Sequence, residues 1–140
     1  LAPATEYRAG TYIYNDRALL SRGTARPEQC AMTVLTTVVS RPTAGRAIID
    51  AGSKALTSDL LGLEGHGLIV EHPEAVIYAL NEEHGLVDVS RCAEPPKVGD
   101  RVRIVPNHTC VVSNLFDQVF IVEKGKLAGA LTVDARGRSA

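Results

Sequence analysis

Pro95-Pro96-Lys97-Val98-Gly99-Asp100-Arg101-Val102-Arg103-Ile104-Val105 is the stretch that decides the fold class. The paired prolines and Gly99-Asp100 make an obvious turn. The next five residues then alternate charged and apolar, the pattern of a strand with one face buried. Working outward, similar short runs recur with Gly or Pro between them. Thr11–Tyr14 is β-prone and ends at Asn15-Asp16. Ala31–Ser40 is rich in Val and Thr with apolar groups at both parities, so it reads as a strand covered on both faces and stopped by Arg41-Pro42. Arg46–Asp50, Gly67–Glu71 and Val76–Asn81 are further short runs. Phe116–Glu123 and Leu127–Asp134 flank Lys124-Gly125-Lys126 as a β-hairpin. Helical signals are weak and confined to a turn or two over residues 54–61. The expected fold is mainly β, a small barrel or sandwich with few short helices.

With 140 residues the chain has room for one core, and 45% hydrophobic with 22% charged residues is ordinary globular chemistry. Fifteen basic against sixteen acidic residues give a net charge of −1, and there is no Trp. That balance argues against a nucleic-acid binder and against a polybasic membrane surface. The longest apolar run, Ala31–Val39, is short and broken by three Thr, so no bilayer-spanning helix is expected. Cys30, Cys92 and Cys110 are widely spaced and odd in number, which points to a reducing compartment, the cytoplasm, rather than a disulfide framework. The start lacks both an initiator Met and a signal-peptide stretch, so either something was removed or the chain is a piece of a longer one.

The chemistry-bearing stretch is Val105-Pro106-Asn107-His108-Thr109-Cys110. On a strand, His108 and Cys110 share a face, at the parity of Val102 and Ile104. They then aim an imidazole nitrogen and a sulfur at one point. Both are zinc ligands, and a thiolate selects against hard ions. Two ligands leave open positions, the profile of a catalytic rather than a structural metal. Pro106 marks a bulge or a sheet edge here, and the plainer reading is a packed Cys beside a solvated His. Glu82-Glu83-His84-Gly85 offers acid–base groups or outer supports for a metal ligand, or else a solvated turn bent at Gly85. Ala51-Gly52-Ser53-Lys54-Ala55 has the order of an anion-binding loop without a P-loop's glycine spacing, and reads equally as a plain turn with an exposed Lys. At the start, Gly10 lets backbone amides approach an anion, or simply turns the chain into a strand.

These blocks occur together and in order: Glu6-Tyr7-Arg8-Ala9-Gly10-Thr11-Tyr12-Ile13-Tyr14-Asn15-Asp16, Thr33–Pro42, Asp50–Leu56, Leu80-Asn81-Glu82-Glu83-His84-Gly85, Val98–Val102, Pro106–Cys110 and Ala135-Arg136-Gly137. Together they resemble the C-terminal part of the metal-activated pyridoxal phosphate enzymes. These are the D-serine dehydratases, D-threonine aldolases and 3-hydroxyaspartate dehydratases of the alanine-racemase-like fold. The resemblance implies that residues 1–16 close a missing TIM barrel, with its last strand around Glu6–Tyr12, and that residues 17–140 form the β domain. The lysine of the Schiff base belongs to the barrel, so no catalytic residue is expected in this chain and the isolated piece is expected to be inactive and without pyridoxal phosphate.

By the same resemblance, Arg8, Gly10 and Thr11 fall on the cofactor-binding stretch, with Ala9 where a Pro is usual. His108 and Cys110 fall on the metal ligands; Glu82, Glu83 and His84 stay candidate outer supports on their residue types alone. Cys110 points to the zinc-dependent dehydratase branch, whereas aldolases tend to carry Asp there. The implied activity of the parent is elimination of water from a β-hydroxy D-amino acid such as D-serine, in a homodimer. D-threonine aldolase, amino-acid racemase and a non-catalytic β-barrel binding module are the alternatives.

Overall fold

A computed structural model describes residues 3–138; residues 1–2 and 139–140, the ends of the two expected segments, lie outside the described residues. Among the described residues, eight strands and three short α-helices follow one another. They are α1 (Arg17–Ser21), β1 (Val34–Thr43), β2 (Arg46–Ile49), α2 (Ser53–Leu56), β3 (Leu68–Ile69), β4 (Val76–Leu80), β5 (Gly85–Asp88), β6 (Arg101–Val105), α3 (Thr109–Ser113), β7 (Gln118–Glu123) and β8 (Lys126–Thr132). The first six strands form one antiparallel sheet in the order β3-β6-β1-β2-β5-β4. Its two ends meet where the His66 amide donates to the Ile77 carbonyl at 3.0 Å, so the sheet curls into a nearly closed barrel. β7 and β8 form a separate hairpin.

The alternation read in Arg101–Val105 holds. Val102 and Ile104 are buried while Arg101 and Arg103 face out. Their inward side chains join Val38, Ile49, Ile69, Ile77, Val87 and Val112 in a core of β-branched residues, which fit a pleated, half-buried surface. The hairpin turn is where the sequence places it, with both Lys124 and Gly125 at positive φ, as a tight two-residue connection needs.

Four local expectations are corrected. β1 is not covered on both faces: Val34, Thr36 and Val38 point inward, but Leu35 and Val39 face outward and are exposed. Nor does Arg41-Pro42 end it. The ladder to β2 slips between Val38 and Ser40 and again between Ser40 and Thr43, and such irregularities accommodate a proline within a strand. Gly85 opens β5, a strand absent from the sequence reading, instead of bending a turn. It pairs with Ile49 and Leu80, and a Cβ there would stand 2.8 Å from the Ala51 carbonyl and from Ile49 Cγ1. Finally, Thr11–Ile13 is a 3-10 turn, and residues 3–10 carry no regular secondary structure.

Candidate functional site

Asp16 is the hinge of the site. It caps the N-terminus of α1, with Oδ1 accepting from the Leu19 amide at 3.1 Å, and it is fully buried. Its other oxygen accepts from the Thr109 amide at 3.3 Å and faces His108 Nδ1 at 3.2 Å. The start of α1 is sewn to the segment after β6 by two backbone bonds, from Arg17 to Pro106 and from Ala18 to Asn107. Asn107, itself buried, completes the frame. Its amide nitrogen donates to the Asp59 and Gly65 carbonyls at 3.1 and 2.9 Å, and its oxygen accepts from Arg17 Nη1 at 3.1 Å. These hydrogen bonds fix the backbone that carries His108, while the buried Thr109 hydroxyl has no partner among the described residues.

His108 and Cys110 do not sit on a strand. β6 ends at Val105, and His108 is the N-cap of α3, which turns Cys110 outward and Thr109 inward. The shared face with Val102 and Ile104 is therefore corrected. The strand-breaking Pro106 ends the ladder, and buried Asn107 diverts the chain into a helical turn. Cys110 is exposed, with Sγ 3.7 Å from the Thr11 hydroxyl. It lines an open cleft of about 480 Å³ with Val111, Ser113, Asn114, Val133 and Ala135. Burial pushes the other two thiols, Cys30 and Cys92, up from the usual cysteine range, which favours their neutral forms.

The remaining candidates fall in two places. Thr11 lies against Cys110, whereas Arg8 pairs with Glu6 at 2.7 Å and is strongly exposed. Arg8, Gly10 and Thr11 thus form no enclosed cradle for a phosphate or a pyridine ring. Glu82 and Glu83 both pair with Lys54, at 3.4 and 2.5 Å, and lie exposed at the β4–β5 turn beside His84. Lys54 holds the Glu83 carboxyl below its ordinary range. Among the described residues, no hydrogen bond or ion pair connects this trio with His108 or Cys110. The Gly52-Ser53-Lys54 stretch is no anion loop. Gly52 lies so close to the Asn81 and Glu82 carbonyls that no Cβ fits, and the Ser53 and Lys54 amides are spent on those same carbonyls at 2.8 and 3.1 Å.

Among the described residues, no three His, Cys, Asp or Glu side chains converge on one point. A metal here would rest, among the described residues, on His108 and Cys110 alone. The chemistry fits that role, because a carboxylate on one imidazole nitrogen leaves the other for a metal. Sequence reasoning missed Asp16, which it used only as the end of a β-prone run. The signal was present: an Asp directly before Arg17-Ala18-Leu19-Leu20 is an N-cap.

A near-closed β barrel followed by a hairpin is the C-terminal architecture of alanine-racemase-like proteins. One from Idiomarina loihiensis superimposes with a TM-score of 0.78 at 24% identity. Within that class, residues 31–122 match the family described as "Putative serine dehydratase domain", and the chain belongs to it. It is 39% identical over 132 residues to an uncharacterised protein of Mycobacterium tuberculosis, covering 91% of this chain and 99% of the relative. It is 34% identical over 137 residues to D-threonine aldolase of Arthrobacter, covering 96% of this chain but 35% of the enzyme.

Solved structures of D-threo-3-hydroxyaspartate dehydratase from Delftia superimpose with a TM-score of 0.76 at 28% identity, covering 90% of this chain and 38% of that one. Among them are variants with a histidine and a cysteine, two positions apart, each replaced by alanine, the cysteine variant in a metal-free form. The chain therefore spans about a third of the characterised enzymes it matches, and these relatives are lyases. Among the described residues, no helix is long and apolar enough to cross a membrane.

Proposed function

We propose that this chain is the β domain of a pyridoxal phosphate- and metal-dependent lyase for β-hydroxy D-amino acids, with residues 1–16 closing the barrel and His108 and Cys110 as its metal ligands. The observation that carries the reading is the pairing of His108 with buried Asp16 at 3.2 Å beside an exposed Cys110 thiol. The same His-x-Cys spacing is the one altered in the Delftia dehydratase variants, which supports zinc and the dehydratase branch over aldol cleavage. In the parent, Arg8, Gly10 and Thr11 face the cofactor, and Glu82, Glu83 and His84 stand further out.

Each residue has a physical task. His108 and Cys110 give one nitrogen and one sulfur donor and leave room for substrate. Asp16 and Asn107 hold that pair against the barrel, and the cleft beside Cys110 admits a small polar molecule from solvent. Zinc, when bound, supplies Lewis acidity that favours departure of a β-hydroxyl. The Schiff-base lysine comes from outside this chain. The chain alone, mixed with pyridoxal phosphate and D-serine, is therefore expected to release no pyruvate above the cofactor blank.

A chimera tests the reading. This chain replaces the matching third of the Delftia enzyme, and dehydration of D-threo-3-hydroxyaspartate is followed with zinc. Activity is expected, with a loss of at least about a hundredfold on His108→Ala or Cys110→Ala. Cys110→Asp is expected to weaken zinc and favour manganese, because a carboxylate is the harder donor. A folded chimera that is inactive with zinc, or active regardless of both alanine substitutions, would overturn the proposal.

A further inference from the structure

We propose that Asp16 is the positioning residue of this site, holding the His108 imidazole in the tautomer protonated at Nδ1 so that Nε2 is the nitrogen offered to a metal. The inference rests on the metal reading above and adds the residue that sets the ligand's state.

Three observations carry it. The Asp16 carboxylate is fully buried, and Oδ2 stands 3.2 Å from His108 Nδ1. A buried carboxylate can only accept, so the neutral ring must place its proton on Nδ1. The carboxylate also cannot turn away. Oδ1 accepts from the Leu19 amide and Oδ2 from the Thr109 amide, so both oxygens are pinned by backbone on either side of the ring. Lastly, His108 is only partly covered, and Nδ1 is the nitrogen that faces inward. The exposed part of the ring is therefore on the Nε2 side, the side of solvent. A carboxylate–imidazole–metal relay of this kind fixes ring orientation and raises donor strength, and its loss typically weakens metal binding about 10–100-fold.

The cap and the relay can be separated. Asp16→Ser keeps a side-chain oxygen for the Leu19 amide, since Ser is a good N-cap, but is too short to reach the imidazole. The test is the ¹⁵N resonances of the His108 ring, assigned by their absence in His108→Gln and measured at a pH where the imidazole is neutral. Wild type is expected to carry its proton on Nδ1. Asp16→Ser is expected to shift toward the Nε2–H form that imidazoles prefer in water. Zinc added to millimolar concentration is expected to move the Nε2 resonance of wild type, at concentrations about 10–100-fold lower than in Asp16→Ser.

A wild-type ring protonated at Nε2 would refute the inference, and this measurement needs no variant to fold. So would a folded Asp16→Ser protein with unchanged tautomer and zinc response. If the tautomer behaves as expected but zinc never perturbs His108, the metal reading falls and the positioning by Asp16 stands. If zinc binds equally in both proteins, the metal reading stands and the positioning by Asp16 falls.

Discussion

A single carboxylate, Asp50, shows how local hydrogen bonds set the acid stability of this barrel. Burial pushes its carboxyl up, but the Thr36 hydroxyl at 2.5 Å and the Thr37 amide at 2.7 Å outweigh this and hold it below its ordinary range. Because the folded value is the lower one, its contribution is complete above the unfolded value of about 3.9 and fades as the pH falls through the folded one. Denaturant titrations between about pH 5 and 2 should therefore show a loss of stability that Asp50→Asn reduces. An unchanged acid limb in Asp50→Asn would remove Asp50 from the account. Residue type and spacing made His108 and Cys110 legible as candidates, a weak signal alone that the ordered blocks of sequence strengthened. Their geometry was not, because Asp16 lies 92 residues from His108 and reaches it only through the fold.

At the scale of elements, strands announced by alternation were found where the pattern was strong, as in Arg101–Val105, and the hairpin lies on its Lys124-Gly125 turn. β5 escaped because it is four residues long and begins with glycine, a poor strand former that reads as a turn. The structure gives the reason for that glycine. β2, β5 and the chain at Ala51 approach so closely that a methyl group at position 85 meets both the Ala51 carbonyl and the Ile49 side chain. Gly85→Ala is expected to cost about 1–3 kcal/mol, the usual range for overpacking a tight interior. Urea unfolding of the two proteins measures it, and a difference below a few tenths of a kcal/mol would mean that β5 shifts at no cost. α3 was misread for the opposite reason. Thr109-Cys110-Val111-Val112 is β-prone, yet it folds as a helical turn because the Asn107 and Asp16 hydrogen bonds determine its backbone.

Taken whole, the molecule is unevenly finished. The barrel closes its edges upon one another, while β7 and β8 stand apart as a two-stranded hairpin. On it Phe120, Val122, Leu127 and Leu131 are more than half exposed. An isolated hairpin is marginal in water, and exposed apolar side chains of this kind favour association. The chain in solution is therefore expected to self-associate at high micromolar concentration, and Phe120→Ser with Leu127→Ser to diminish this. Light scattering decides: a wild-type monomer throughout that range counts against the hairpin as the contact. The global class, a mainly β domain of the alanine-racemase type, was legible from the ordered blocks of sequence together. The bareness of the hairpin was not, since Val119–Val122 is an unbroken apolar run of the kind expected in a covered strand.

The frame around His108 also bears on how the chain reaches its native state. Asp16 meets residues 92 and 93 positions away, Thr11 meets Cys110 across 99, and Asn107 grips a loop 42 to 48 positions earlier. Contacts of such sequence separation repay their loop-closure entropy only once the intervening strands are in place. The imidazole and thiol should thus be among the last groups to find their positions as the chain folds. A nascent chain would then leave the His108 imidazole and the Cys110 thiol without their partners until the barrel is nearly complete.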